Sequence, residues 1–260
     1  MKRVGVVVVA ALALAVALAA FAPAPLLNAY LQDLTNGALR LAATSGTVWR
    51  GQGQLADAAG TWSIPMGWEL APLPLLRGEF DVTLKPPPGE ETPRGRVRLR
   101  GDMVDLDQTV LAFPANALRP LFARVPGLAL RGEINVRADR FTWLGKSGEG
   151  KLDANWRNAA LVAMGMSAAL GDVTLNAASG TSGTSGTAGA AGTTSDLLAR
   201  VQNTGGDLRV AGNLRFVRGA ADGDLTLQPT VSASPELLRA LRLLGPPDAN
   251  GAVRVRFPNG

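Results

Sequence analysis

The chain has 260 residues, 47% of them apolar, with a formal net charge of +5 and neither cysteine nor histidine. That apolar content is enough for a core and rules out a disordered tail. The missing residue types exclude disulfides, thiol chemistry and the usual zinc ligands, along with the side chain most used for acid–base work near neutral pH.

Lys2 and Arg3 precede an unbroken apolar run of 19 residues, Val4 to Ala22. As a helix it is about long enough to cross a ~30 Å hydrocarbon core. Cations before the run and none within it predict residues 1–3 in the cytoplasm, an anchor over 4–22, and the bulk of the chain outside. A cleaved signal peptide is the competing reading, because Ala20, Ala22 and Ala24 offer small residues at cleavage spacing. The run exceeds a usual apolar region of roughly 7–15 residues, and Pro23 sits awkwardly for cleavage after Ala22, which favours retention. Either way residues 23–260 form an exported domain, in which a positive charge loses its nucleic-acid meaning.

A short helix is expected over residues 26–34, ended by Gly37. Beyond it one phrase recurs: a glycine, a polar or small residue, then apolar residues at alternate positions. Nine copies begin at Gly78, Gly95, Gly132, Gly150, Gly171, Gly206, Gly212, Gly223 and Gly251. The alternation puts Val97 and Leu99 on one face and Arg96, Arg98 and Arg100 on the other, so each copy reads as a half-buried strand entered from a glycine-containing turn. Asp222–Gly223 and Asn250–Gly251 are hairpin dipeptides. The uneven spacing of the copies argues for a meander of hairpins and against a solenoid.

Four prolines in Lys85–Gly95 mark a solvated loop or linker, and a turn of helix is expected over 116–122, limited by Pro120. Residues 179–195 are low-complexity Gly, Ser, Thr and Ala and read as a flexible surface loop between strands. Near the end, Ser234 can cap a helix with Pro235 in its first turn and Glu236 at its positive end, Gly245 offers a left-handed exit, and Pro246 and Pro247 forbid continuation. Leu237, Leu238, Leu241 and Leu244 fall on one stripe. The fold class is therefore all-β: an elongated, curled antiparallel sheet, half-barrel-like, with a few short helices and one N-terminal transmembrane helix. Strands of about 5 to 7 residues fall short of the ~9 to 11 that an outer-membrane barrel requires.

No nucleophile elbow, phosphate loop or dinucleotide fingerprint is present, and no cofactor is implied. Asp102, Asp105 and Asp107 could be imagined as a calcium site, but solvent-facing acids are the simpler reading. Arg96, Arg98 and Arg100, with Arg254 and Arg256, suggest either a basic face for an acidic partner or lipid headgroups, or a solvated outer face; the second is preferred. Trp49, Trp62, Trp68, Trp143 and Trp156 could form a ligand platform, though burial in a sheet accounts for them more simply.

Gly46, Thr47, Trp49 and Gly51, followed by Trp68, Leu75 and Gly78, resemble the opening of the type II secretion system protein N family, also called general secretion pathway protein N. The close of the chain, with Leu244, Gly245, Asp248 and Gly251 between a Leu-rich helix and a final strand, is similar to that family's end. Residues 150–161 and 170–177 resemble its middle pair of strands. The resemblance implies a non-catalytic, single-pass inner-membrane protein with a periplasmic domain, in the machine that exports folded proteins across the outer membrane. Its implied partners are the secretin's periplasmic domains and the inner-membrane platform. An apolar sheet face left uncovered would instead suit a periplasmic lipid-handling or lipid-bridging module.

Overall fold

The computed structural model describes residues 21–122, 127–145, 147–163, 166–180, 196–217 and 220–257. The chain divides into two compact units, Met1–Pro93 and Arg94–Gly260, and the boundary falls at the end of the proline-rich loop. Among the described residues no helix is long and apolar enough to cross a membrane. The anchor expected over 4–22 lies outside them, except for Phe21 and Ala22.

Unit 1 contains α1 (Pro25–Leu34), β1 (Leu39–Gly46), β2 (Arg50–Asp57), β3 (Ser63–Leu70), α2 (Pro72–Leu75) and β4 (Glu79–Lys85). Its four strands pair in chain order, all antiparallel. Leu41, Leu55, Trp68 and Val82 share one face of this sheet, and α1 covers them with Leu27 and Leu31. Burying that stripe is what holds a ten-residue helix that would be marginal in water on its own. Asn28 of α1 accepts the Leu41 amide at 2.7 Å, locking helix to strand. The helix closes as expected, with the Gly37 amide donating to the Gln32 carbonyl at 2.7 Å.

Unit 2 contains β5 (Arg94–Arg100), β6 (Met103–Pro114), a 3₁₀ helix (Ala115–Phe122), β7 (Ala129–Leu144), β8 (Ser147–Ala163), β9 (Met166–Gly180), β10 (Asp196–Thr204), β11 (Leu208–Val217), β12 (Ala220–Pro229), α3 (Pro235–Leu244) and β13 (Val253–Phe257). It too is an antiparallel meander in chain order, and among the described residues no pairing joins β13 back to β5. The all-β, antiparallel expectation therefore stands.

Several local expectations do not. Strands β7, β8 and β9 run to 16, 17 and 15 residues, well beyond the predicted 5 to 7. The reason lies in the glycines: several of them sit inside strands, at bulges, and do not break the ladder as turn residues would. The phrases beginning at Gly206 and Gly212 accordingly fuse in the single strand β11, and Asp222–Gly223 lies mid-strand opposite Arg215 and Leu214, not in a hairpin turn. Asn250–Gly251 does form a turn, but between α3 and β13, so it is no hairpin either. Ser179 and Gly180 belong to β9, pairing with Leu197 and Asp196, and the rest of the predicted loop lies outside the described residues.

Gly150 illustrates the bulge. It takes φ +109° opposite Phe141, beside a register shift between Ala138 and Arg140, and a Cβ there would lie 2.1 Å from the Arg140 carbonyl oxygen. Bending of this kind brings Phe141 and Trp143 of β7 together with Leu197 of β10 over Gly148 of β8, where an added Cβ would touch all three. The cluster of Ala138, Phe141, Ala177, Leu197 and Ala199 thus draws on strands several places apart in the sheet. Elsewhere the apolar face is covered by helices. Leu237 and Leu241 of α3 pack with Leu170, Leu208 and Val253, while Ala115 and Leu118 of the 3₁₀ helix pack with Leu130 and Ile134.

Replacing Gly150 by alanine should destabilise unit 2 by about 2 kcal/mol or more, because the residue would have to leave its conformation or push away the β7 backbone. Denaturant unfolding of the full chain should show it as a lower midpoint with little change in slope. An unchanged midpoint would mean that the bulge does not set the ladder.

Candidate functional site

The resembling residues of the first half meet at one end of unit 1. Thr47, Val48 and Trp49 form the connection between β1 and β2, so Trp49 sits in a turn and not on a strand as the sequence suggested. Gly46 enters this turn at φ +92°, a conformation that leaves no room for a side chain against the Arg50 carbonyl. The Thr47 amide donates to the Arg50 carbonyl at 2.9 Å, and the Thr47 hydroxyl accepts the Arg50 amide at 3.1 Å. A hydroxyl at this position therefore closes the turn upon itself.

The turn is also tied on both sides. On one side the Val48 amide donates to the Ala22 carbonyl at 2.9 Å, the Ala24 amide to the Gly46 carbonyl at 3.2 Å, and Pro23 bridges Thr47. On the other, the Leu70 amide donates to the Trp49 carbonyl at 2.7 Å, and Trp68 Nε1 to the Val48 carbonyl at 3.0 Å. Trp68, only 3% exposed, is the tryptophan that fills the core of this unit, and its ring lies over Gly51, its register partner. A Cβ on Gly51 would stand 2.5 Å from Trp68 Cζ2 and 2.6 Å from the Ser45 carbonyl. Gly51 is thus glycine because the indole occupies the space of its side chain.

The other motif residues are placed as follows. Leu75 is half-buried in α2, at the same end as the turn, and Gly78 follows at φ +72° before β4. In unit 2 the Ser234 hydroxyl caps α3 by accepting the Leu237 amide at 3.2 Å. Gly245 leaves that helix fully extended, at φ 165° and ψ 169°, and not by the left-handed exit predicted for it. Leu244 is exposed and does not join Leu237 and Leu241 on the buried stripe, because the stripe meets the sheet only through the middle of the helix. Asp248 organises the next turn, its Oδ1 accepting the Asn250 and Ala252 amides at 2.8 and 2.9 Å, with Gly251 at φ +76°.

Beside the first hairpin lies a groove of about 530 Å³, lined among others by Ser45, Gln52, Gly67, Lys85 and Pro86–Pro88. Register explains it. Gln52 stands opposite Gly67, and Gly67 opposite Lys85, so the missing side chain leaves a hollow between two long ones, with the prolines as a wall. Glu69 lies at its rim, its carboxylate bonded to both Lys85 and Arg50. The Lys85 hydrogen bond first, and the Arg50 bond next, lower its pKa from 4.5 to about 2. Nothing in the sequence reading pointed to this groove, although Gly67 before Trp68 and the three prolines after Lys85 were its signals.

The remaining candidates disperse. Arg96 stands opposite Asp107 and Arg98 opposite Asp105, Thr142 donates to Asp105 Oδ1 at 2.6 Å, and Arg256 faces Asp224. Cations and acids on neighbouring strands thus face each other with opposite sign, as expected of a solvated outer face. Among the described residues no group of three or more His, Cys, Asp or Glu is gathered for a metal ion. Trp143 and Trp156 each pack in apolar clusters of unit 2, so the tryptophans form no common platform there.

Two outcomes follow from this geometry. Gly51→Ala should lower the stability of the chain by about 1–3 kcal/mol, since Trp68 must move, whereas Gly67→Ala, whose Cβ would meet nothing nearer than 3.3 Å, should cost clearly less; equal losses in urea unfolding would refute the assignment. Glu69 has a lowered folded pKa, so its ion pairs stabilise the fold fully above pH 4.5 and lose that effect as pH falls towards 2. The small gap in thermal midpoint between the wild type and Glu69→Gln should shrink over that window; a gap undiminished at pH 2 would exclude the pairs as its source.

No curated protein and no solved structure matches this chain. A family model does, over residues 37–256, a span from just before β1 into β13 that takes in the clamped hairpin, the groove and the capped helix α3. With so much of its length matched, the chain belongs to the family of type II secretion system (T2SS) protein N and is a component of that secretion machinery.

Proposed function

We propose that this chain is a non-catalytic, single-pass inner-membrane component of the type II secretion machine. Residues 1–3 lie in the cytoplasm, residues 4–22 anchor it, and the β units formed by residues 23–260 act in the periplasm by binding other machine components, the secretin or the inner-membrane platform. The observation that carries this reading is the family match across both β units, joined to the 19-residue apolar run that precedes them. The groove beside the first hairpin supports it, with a floor of mid-strand glycine, a proline wall and a charged rim able to seat a segment of another protein. In this reading Gly46, Thr47, Gly51 and Trp68 keep the hairpin rigid beside that groove, and Gly245, Asp248 and Gly251 set the approach to the last strand.

A second reading, lipid carriage, is favoured by one observation. Leu106, Trp143, Leu152, Leu175 and Phe216 remain half-exposed around the β7–β10 cluster, which includes no helix residue. Photoreactive residues at Gln52, Arg98 and Arg254, crosslinked in intact envelopes, should give adducts with the secretin or a platform protein. In the same envelopes a photoactivatable phospholipid should label none of Leu106, Trp143, Leu152, Leu175 and Phe216. Labelling of those residues and no protein adduct would overturn the first reading in favour of the second.

A further inference from the structure

Where the apolar run meets the fold has a consequence for unit 1. In an antiparallel meander the β1–β2 turn and the β3–α2–β4 connection lie at the same end of the sheet, and the chain enters unit 1 there. Ala22, the last residue of the apolar run, is itself hydrogen-bonded to Val48 in that turn. No linker separates run from sheet. Residues 4–20 as a helix would use their ~1.5 Å per residue to cross most of a ~30 Å core, so Phe21 and Ala22, which follow them, sit at the bilayer surface. The end of the sheet to which they are bonded cannot then stand away from that surface.

The side chains at this end have the corresponding character. Phe21 is 78% exposed, and α2 with its flank presents Leu73 and Leu76 at 74% and 84%, next to an exposed Arg77. Trp49 lies half-buried in the adjacent turn. Large apolar groups, an aromatic and a cation at one edge are the composition of a headgroup layer. At the opposite end of the same sheet the β2–β3 turn holds a half-buried Trp62 but exposes only Ala58, Ala59, Gly60 and Thr61, none of them a large apolar residue. The asymmetry has no role in the core of unit 1, because Leu73 and Leu76 are outside its buried cluster.

We infer that this end of unit 1 is seated on the bilayer, with Leu73 and Leu76 inserted among the lipid headgroups beside the anchor. The inference rests on the reading of residues 4–22 as a retained membrane anchor, and it adds a second, lateral contact that fixes the tilt of unit 1 and the position of its groove above the membrane.

The absence of cysteine makes the test direct. Single cysteines at Leu73, Leu76, Ala59 and Ala11 in the full chain carry nitroxide labels, and the chain is placed in nanodiscs of phosphatidylethanolamine and phosphatidylglycerol. Collisions with oxygen, which partitions into lipid, are compared with those of a water-soluble nickel chelate. Labels at 73 and 76 should favour oxygen several-fold over the label at 59, and the label at 11 should be the deepest. If 11 is deep while 73 and 76 resemble 59, the anchor stands and the seating is wrong. Labels at 73 and 76 shielded from both reagents would show a protein partner on this surface and equally overturn the proposal. A water-accessible label at 11 would defeat the anchor and, with it, the seating.

Discussion

The structure depends on one constraint: an antiparallel sheet has an apolar face that water must not see, and this chain has few helices to cover it. In unit 1 the solution is conventional, with α1 laid across Leu41, Leu55, Trp68 and Val82. In unit 2 the sheet also covers itself. Strands of 15 to 17 residues can do so only if they bend, and they bend at bulges, at Gly132 with φ +103° and at Asn158 in the left-handed region. The cluster around Phe141 and Leu197 exists because of that bending. At the other end of β10 a buried Asn203 donates to the Leu208 carbonyl at 2.7 Å and accepts the Val210 amide at 2.6 Å, so that β10 and β11 cannot slip past each other.

The first hairpin shows how a short motif can serve as a joint. Its glycines, its threonine and the indole of Trp68 do not converge on a reacting atom. They fix a turn whose backbone groups are shared between the incoming chain at Ala22–Ala24 and strand β3. Such a joint passes the orientation of the N-terminal segment to the sheet with little slack. For a component of a secretion machine such a rigid joint suits a surface met by other components.

Charge has a similarly structural role. The arginines of β5 could have formed a basic stripe, but the register sets acids of β6 against them. At the rim of the groove Glu69 is shared between Arg50 and Lys85. These pairs are exposed, so each contributes little to stability and weakens with salt. Their larger effect is on register, since a slip by one residue would part each cation from its acid and turn Val97 and Leu99 towards water.

Read alone, the sequence determined the alternation of strands, the capped helix ended by prolines, the closure of α1 at Gly37 and the family to which the chain belongs, because each of these is written in residues near one another along the chain. Strand lengths were not legible: a glycine at a turn and a glycine at a bulge look the same until the opposite strand is known. The different roles of Trp49 and Trp68 were hidden for the same reason, since only the pairing of Gly51 with Trp68 shows which indole is buried. The groove was also hidden, being a gap between Gln52 and Lys85 over a missing side chain on a strand between them. Tertiary structure decided whatever depended on which residue faces which across a ladder, because hydrogen bonding between strands, and not proximity in sequence, sets those contacts.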